Sequence, residues 1–339
     1  MKSNILPRIL EECERAGNLT IFNSFLKTAP KIETKQNIIC SISGGSDSDI
    51  MLDILARLDY TRKIKYVFFD TGIEYQATKK HLAELETKYE INIERIKAIK
   101  PVPVGCKEYG LPFWSKYVSE CIERLQKAGF TWKDKPFEEL ITQYPKCKAA
   151  LKWWCNLHGE NSRFNIEYIR GLKEYMIAFP PPFRISNKCC KGGKKDNAKY
   201  CLEQNAADLN VIGIRKSEGG ARSTAYKSCF DLAKDGEGWD NYRPIFYYTD
   251  KDKTEYEQLF SVTHSECYTK YGLTRTGCAG CPFGKDFEKE LAIMQEHEPQ
   301  LYKAANAIFG ESYEYTRRFY QFRKQLSEEK ANVHNDKIN

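Results

Sequence analysis

A chain of 339 residues with 41% hydrophobic content can bury a large core, arranged as one elaborated α/β domain or as two domains. Lys and Arg outnumber Asp and Glu by 53 to 46, and a net charge of +7 permits an acidic partner such as nucleotide phosphates without marking a nucleic-acid-binding face. Lys2, Arg8, Glu11, Glu12, Glu14 and Arg15 interrupt the amino-terminal stretch, which excludes a secretory signal or membrane span there and predicts a cytoplasmic protein with no membrane partner. Thirteen cysteines in that setting stay reduced and favour metal or redox chemistry over a disulfide framework.

Residues 1–36 read as an extension of one or two helices, with Ile5, Ile9, Leu10 and then Ile21, Phe22, Phe25, Leu26 apolar, ending near Pro30. The apolar run Ile38–Ile42 then stops at Ser43-Gly44-Gly45-Ser46-Asp47-Ser48. Ile50, Met51, Ile54, Leu55 and Leu58 resume at helical spacing, so the order is strand, tight turn, helix. Glycines there allow positive φ and close approach of the backbone, Gly45 being the position expected to need both. The helix amino terminus adds partial positive charge, which together make an anion site. No Gly-Lys-Ser/Thr follows, so the ordinary P-loop is excluded.

Lys65–Gly72 is a buried-type strand entering a turn, followed by a helix carrying Leu82, Leu85 and Tyr89 and a third strand around Ile91, Ile93 and Ile96. Strands and helices alternating at this spacing predict parallel βαβ units, an α/β fold with a twisted parallel sheet and helices on both faces. Ligands bind beyond the carboxyl ends of such strands, which places Asp70, Thr71 and Gly72 beside the Ser43 loop. An aspartate at a strand end also serves as a turn cap.

The loop Ser-Gly-Gly-Ser-Asp-Ser resembles the SGGxDS loop of the PP-loop ATP pyrophosphatases, relatives of the phosphoadenosine phosphosulfate (PAPS) reductases. Val67–Glu74 resembles a strand-and-turn segment of the sulfonucleotide reductases. The resemblance implies an adenine nucleotide alpha hydrolase-like fold. It also implies ATP, taken with magnesium, as a substrate cleaved between its α and β phosphates, with Ser43, Gly44, Gly45, Ser46, Asp47 and Ser48 holding pyrophosphate.

Residues 100–185 break the βαβ rhythm with Pro101, Pro103, Pro112 and the run Pro180–Pro182, and read as a helical insertion. Trp114, Trp132, Trp153 and Trp154 within it read as core, with a base-stacking surface as the alternative. Cys106, Cys121, Cys147 and Cys155 are spaced as ordinary buried thiols.

Adjacent Cys189 and Cys190 precede the pair Cys278-Ala279-Gly280-Cys281. A CxxC turn presents two thiolates together, whereas neighbouring cysteines diverge, which suits a cubane better than a single tetrahedral zinc. Zinc and unmetallated thiols are the alternatives. These four cysteines resemble the CC…CxxC set that holds a [4Fe-4S] cluster in adenylyl-sulfate reductases. Val211–Arg222 resembles that family's segment for the anionic end of the nucleotide, which puts Arg215 and Arg222 on phosphate oxygens. Tyr242–Asp252 resembles the segment that follows. The resemblance covers residues 38–284, within a nucleotide-binding domain of residues 37–284 with residues 285–339 as a helical extension.

The sulfonucleotide reductases use a nucleophilic cysteine in a carboxyl-terminal tail, and no cysteine follows Cys281. The ATP-cleaving loop therefore favours an enzyme resembling the iron–sulfur sulfurtransferases of DNA phosphorothioation. In that enzyme Asp47, Arg215 and Arg222 are catalytic, nucleic acid is the acceptor, and a cysteine desulfurase is a candidate sulfur donor. A thiol-dependent adenylyl-sulfate or PAPS reductase and a non-catalytic nucleotide sensor are the competing readings.

Overall fold

Alternate residues of Ile38–Ser41 face opposite ways, and this one short strand, β1, joins two apolar layers. Ile38 and Cys40 pack with Phe25, Ile50, Ile54 and Tyr256 on one side, while Ile39 packs with Val67, Cys201 and Leu202 on the other. The computed structural model describes residues 5–219, 225–233, 236–284 and 286–335. The chain folds as two compact units, Met1–Ile99 with Gly193–Cys278 and Lys100–Gly192 with Ala279–Asn339.

The first unit is a six-stranded sheet in the order β3-β2-β1-β4-β6-β5. Its strands are β1, β2 (Lys65–Asp70), β3 (Ile93–Lys97), β4 (Leu209–Ile212), β5 (Phe230–Asp231) and β6 (Asp240–Tyr242). Every neighbouring pair is parallel except β5 with β6. Helices α1 (Ile5–Ala16), α2 (Leu19–Thr34), α3 (Ser46–Leu58) and α4 (Gln76–Tyr89) contribute to the first apolar layer, and α10 (Asp196–Gln204) covers the opposite face through Cys201 and Leu202. From β1 the chain moves outward to β2 and β3, then returns to β4 on the other side of β1. The carboxyl ends of β1 and β4 therefore flank the topological switch point, where a crevice opens in sheets of this class.

Two sequence expectations change in detail. Helix α2 continues through Pro30 to Thr34 instead of ending there. Pro30 is exposed, so the carbonyl deprived of its amide partner can turn to water, and Thr34 Oγ1 donates to Pro30 O at 2.8 Å. The left-handed glycine of the loop is Gly44, at φ 66°, whereas Gly45 is the extended N-cap of α3 at φ −96°.

The second unit is helical, with α5 (Val102–Tyr109), α6 (Lys116–Lys127), α7 (Phe137–Gln143), α8 (Lys148–Trp154), α9 (Leu172–Ala178) and, after the first unit's later elements, α13 (Phe287–His297) and α14 (Pro299–Asn335). Trp153 and Trp154 are fully buried among Phe113, Leu151, Met176 and Phe319, and Trp132 joins the same core. Trp154 Nε1 donates to Lys133 O at 3.2 Å, so the indole is satisfied inside the core and offers no stacking surface.

Candidate functional site

The loop after β1 is organised by its own side chains. Ser43 N donates to Ser48 Oγ at 3.0 Å, and Gly45 N donates to Ser43 Oγ at 3.3 Å. A Cβ on Gly44 would stand 2.6 Å from Thr78 Cγ2 in a left-handed conformation, so this position takes glycine for both backbone and space. Gly213, just past β4, plays the matching part from the other side of the switch point. A Cβ there would lie 3.3 Å from Asp47 O and from Ser48 Cα, and its absence lets the β4 exit press against the first turn of α3.

Two cations converge on Asp47. Arg215 Nε donates to Asp47 Oδ1 at 2.9 Å, and its Nη1 reaches Asp250 Oδ1 at 2.8 Å and Ser217 Oγ at 3.0 Å. Lys253, on helix α11 (Asp250–Phe260), places Nζ 3.3 Å from the same Asp47 oxygen and donates to Ser46 Oγ. The Thr249 cap, whose Oγ1 accepts from Asp252 N at 3.2 Å, fixes where α11 begins and so where Lys253 projects. Lys253 was not among the expected site residues, because its position depends on a helix that meets α3 only in the fold. Its sequence signal is weak, a lysine one turn into a capped helix. It supplies at this loop the ammonium that a Gly-Lys-Ser/Thr sequence supplies in an ordinary P-loop.

Tyr268, on the short helix α12 (Glu266–Thr269), also enters the site unannounced. Its hydroxyl accepts from Ser46 N at 3.2 Å and from Thr276 N at 3.2 Å, which puts an oxygen against an amide of the glycine turn. Thr276 Oγ1 is the nearest atom, at 3.1 Å, to where a Gly45 side chain would begin.

Beneath the loop, Asp49 is wholly buried between two imidazoles, with His264 Nδ1 at 2.7 Å and His81 Nε2 at 3.1 Å from its Oδ2. The His81 contact lies at ion-pair distance but outside hydrogen-bond geometry, and Asp49 Oδ1 is a buried oxygen without a hydrogen-bond partner. Glu257 holds the other ring nitrogen of His264 at 2.8 Å. Burial opposes charge on His264, but the two carboxylates outweigh it and push its pKa up to about 9. His81 is raised in the same way, with burial outweighed by Asp49 and Glu84.

At the end of β2 the expected residues are engaged with one another. Asp70 accepts from Gly72 N at 2.9 Å, the turn-capping geometry. Thr71 is fully buried, with its hydroxyl donating to Glu74 Oε1 at 2.5 Å and lying 3.6 Å from Cys278 Sγ. Burial raises Glu74. Asp70 is lowered in spite of burial by the Gly72 amide, Glu74 and Lys79. Arg222 lies outside the described residues.

The cysteines divide between the two units. Cys278 closes the first, at Thr71. In the second, the thiols of Cys106, Cys190 and Cys281 act on Cys189. Cys106 is the chief influence that holds the Cys189 thiol well above the usual thiol range. Cys106, expected to be an ordinary buried thiol, thus belongs to this group, while Cys121 and Cys147 are buried elsewhere in the helical core. Thiols are donors suited to a soft metal. Among the described residues no group of three or more His, Cys, Asp or Glu side chains stands in metal-ligand arrangement.

A mostly parallel sheet with helices on its faces and a glycine turn at its switch point defines an α/β class of protein. Residues 37–283 match the phosphoadenosine phosphosulfate reductase domain, and the chain belongs to that family. The uncharacterized protein MJ0066 of Methanocaldococcus jannaschii is 36% identical over 78 residues, a match spanning 23% of this chain and 16% of that relative's length. Among solved structures, the PAPS reductase of Candida auris, in a phosphate complex, aligns at TM-score 0.41 and 12% identity over 75% of this chain and 86% of that one. The U34-tRNA thiolase NcsA of Methanococcus maripaludis, with its [4Fe-4S] cluster, aligns at TM-score 0.34 and 13% identity over 88% and 79%. The NH3-dependent NAD synthetase of Campylobacter jejuni aligns at 0.31 and 11% over 93% and 96%. Among the described residues no helix is long and apolar enough to cross a membrane.

Proposed function

We propose that this member of the PAPS reductase domain family binds ATP at the Ser43–Ser48 loop, cleaves it to AMP and pyrophosphate to adenylate an acceptor, and supports transfer of sulfur to that acceptor, with nucleic acid as the acceptor class. The observation that carries the reading is the pair of cations, Arg215 and Lys253, brought to Asp47 and Ser46 at the mouth of a glycine turn. An acceptor oxygen attacks the α phosphorus, the bond to the β-bridging oxygen breaks, and pyrophosphate leaves. Negative charge grows on that leaving group, where the first-turn amides of α3 and the two cations stabilise it most. Arg222 is proposed to join them, and Asp47 to hold the cations in place until phosphate oxygens replace its carboxylate. Asp70, Thr71 and Gly72, at the end of β2, are proposed to face the nucleotide, and magnesium is proposed to accompany it.

Cys189, Cys190, Cys278 and Cys281 are the residues proposed to hold a [4Fe-4S] cluster, which when bound would bind or relay sulfide, with a cysteine desulfurase as the proposed source. A second reading is favoured by the family's own name: thiol-dependent reduction of adenylyl sulfate or its 3′-phosphorylated form.

Anaerobically purified protein given ATP should release AMP and pyrophosphate, more of both with the acceptor. Sulfite from adenylyl sulfate would establish the second reading instead, and nucleotide binding without turnover of either would establish a sensor.

A further inference from the structure

Two stretches of the second unit run side by side, joined by a parallel bridge between Leu111 and Ile185. Leu111 N donates to Arg184 O at 2.8 Å and Ser186 N to Leu111 O at 2.9 Å. This pairing brings α5 against the Cys189 segment. Gly105 shows how near they come, since a Cβ on it would stand 3.2 Å from Cys189 Cα. The next residue is Cys106, whose thiol is the chief influence on the Cys189 thiol. Cysteines beside so close a backbone approach lie within the reach of a disulfide.

The two thiols differ in access. Cys106 lines a cleft of about 520 Å³, together with Lys107, Arg184, Asn306 and Glu311, whereas Cys189 does not line it. Lys107 and Arg184 place two cations on the cleft wall against the single carboxylate of Glu311, which suits a small, carboxylate-bearing thiol compound.

We propose that Cys106 and Cys189 form a reversible dithiol–disulfide pair, oxidised by a low-molecular-weight disulfide of the glutathione class that enters through this cleft. The Cys106 thiolate attacks one sulfur of the small disulfide, forming a mixed disulfide and releasing one small thiol. The mixed disulfide removes the Cys106 thiol that holds Cys189 up, and Cys189 then attacks the Cys106 sulfur, its proton passing to the second small thiolate as that leaves. The protein loses two thiol hydrogens and two electrons, and the small disulfide gains them as two thiols. A Cys189 held in this bond cannot also ligate a metal, so oxidation would withdraw one of the proposed cluster ligands. That consequence rests on the cluster reading, while the disulfide itself does not.

The test is peptide mapping by mass spectrometry of the full-length protein after incubation with oxidised glutathione and alkylation, both as purified without air and after removal of iron. The expected result, in at least the iron-free sample, is a cross-linked peptide joining Cys106 to Cys189 that dithiothreitol reverses. In Cys106→Ser, Cys189 should remain alkylatable. A lasting glutathione adduct on Cys106 beside an alkylated Cys189, a Cys189–Cys190 bond, or no oxidation of either thiol would overturn the proposal. Iron is measured in parallel. A disulfide in protein that never contained iron would sink the cluster reading and leave this inference standing, and iron without the disulfide in either sample would do the reverse.

Discussion

Lys253 Nζ lies 3.3 Å from Asp47 Oδ1, so an ammonium carried on α11 closes a loop whose own sequence has no lysine. Lys253 and Arg215 share this one carboxylate oxygen, and both are mostly shielded from solvent. Such an arrangement would hold positive charge ready for the proposed phosphate anion without leaving it unpaired beforehand.

Removing the ammonium should therefore act on binding more than on folding. Lys253→Ala is expected to weaken ATP by about 1.5–3 kcal/mol, the scale of a hydrogen bond to a charged group, with a melting temperature close to that of the parent. Titration calorimetry beside thermal melts separates the two. Unchanged affinity would mean that Lys253 only caps Asp47.

The two loop glycines should respond differently. Gly44→Ala meets Thr78 Cγ2 at 2.6 Å and a left-handed backbone, and should cost about 1–2 kcal/mol of stability from the backbone alone. Gly45→Val has an ordinary extended φ, so it should fold but lose nucleotide affinity, because its branches project toward Thr276 and Tyr268 at the phosphate-facing turn. Chemical denaturation and ATP binding on both variants check this, and equal stability losses would contradict it.

The His264 charge should appear in the pH dependence of stability. Its pKa in the fold is about 9, above the ordinary value of roughly 6.5, so its contribution is complete below the unfolded value and is lost as pH rises through about 9. The loss across that window should be on the order of 3 kcal/mol, with His81 adding in the same direction. His264→Gln should flatten the curve of denaturation midpoint against pH between 6.5 and 9.5. A wild-type curve that is already flat there would refute the assignment.

Below the site, Asp53 is wholly buried and receives Arg57 Nε at 2.6 Å, Tyr89 Oη at 2.7 Å and Tyr256 Oη at 2.7 Å. Removing the carboxylate strands a guanidinium and two hydroxyls, so Asp53→Ala should lose about 3–5 kcal/mol, measured by urea unfolding. The loop touches none of these groups directly, so any surviving folded protein should retain its nucleotide affinity.

For the metal, anaerobic protein should contain iron and acid-labile sulfide. Cys278→Ser should lose both, because serine is a poor substitute for thiolate toward iron. Cys121→Ser and Cys147→Ser should keep them, since those thiols belong to the helical core. Stoichiometric zinc without iron, in protein never exposed to air, would replace the cluster with a zinc site.

The mostly parallel sheet and the strand, glycine turn and helix around Ser43–Ser48 were legible in the sequence, because β1, β2 and β4 are short apolar runs that end at Ser43, Asp70 and Gly213, and local pattern encodes strand, turn and helix. The fate of each glycine was not, since Gly44 and Gly45 look alike until Thr78 occupies the space beside one of them. Lys253, Tyr268 and the two histidines that flank Asp49, His81 and His264, are contributed by α4, by α11 and by the segment that follows it, far from the loop in sequence, and their spacing carries no local periodicity that would single them out. The partnership of Cys106 with Cys189 likewise depends on the pairing of Leu111 with Ile185. Local propensity and hydrophobic period determined which segments are strands and helices. Only the tertiary packing, which brings distant side chains within hydrogen-bonding reach, decided which charges and thiols meet.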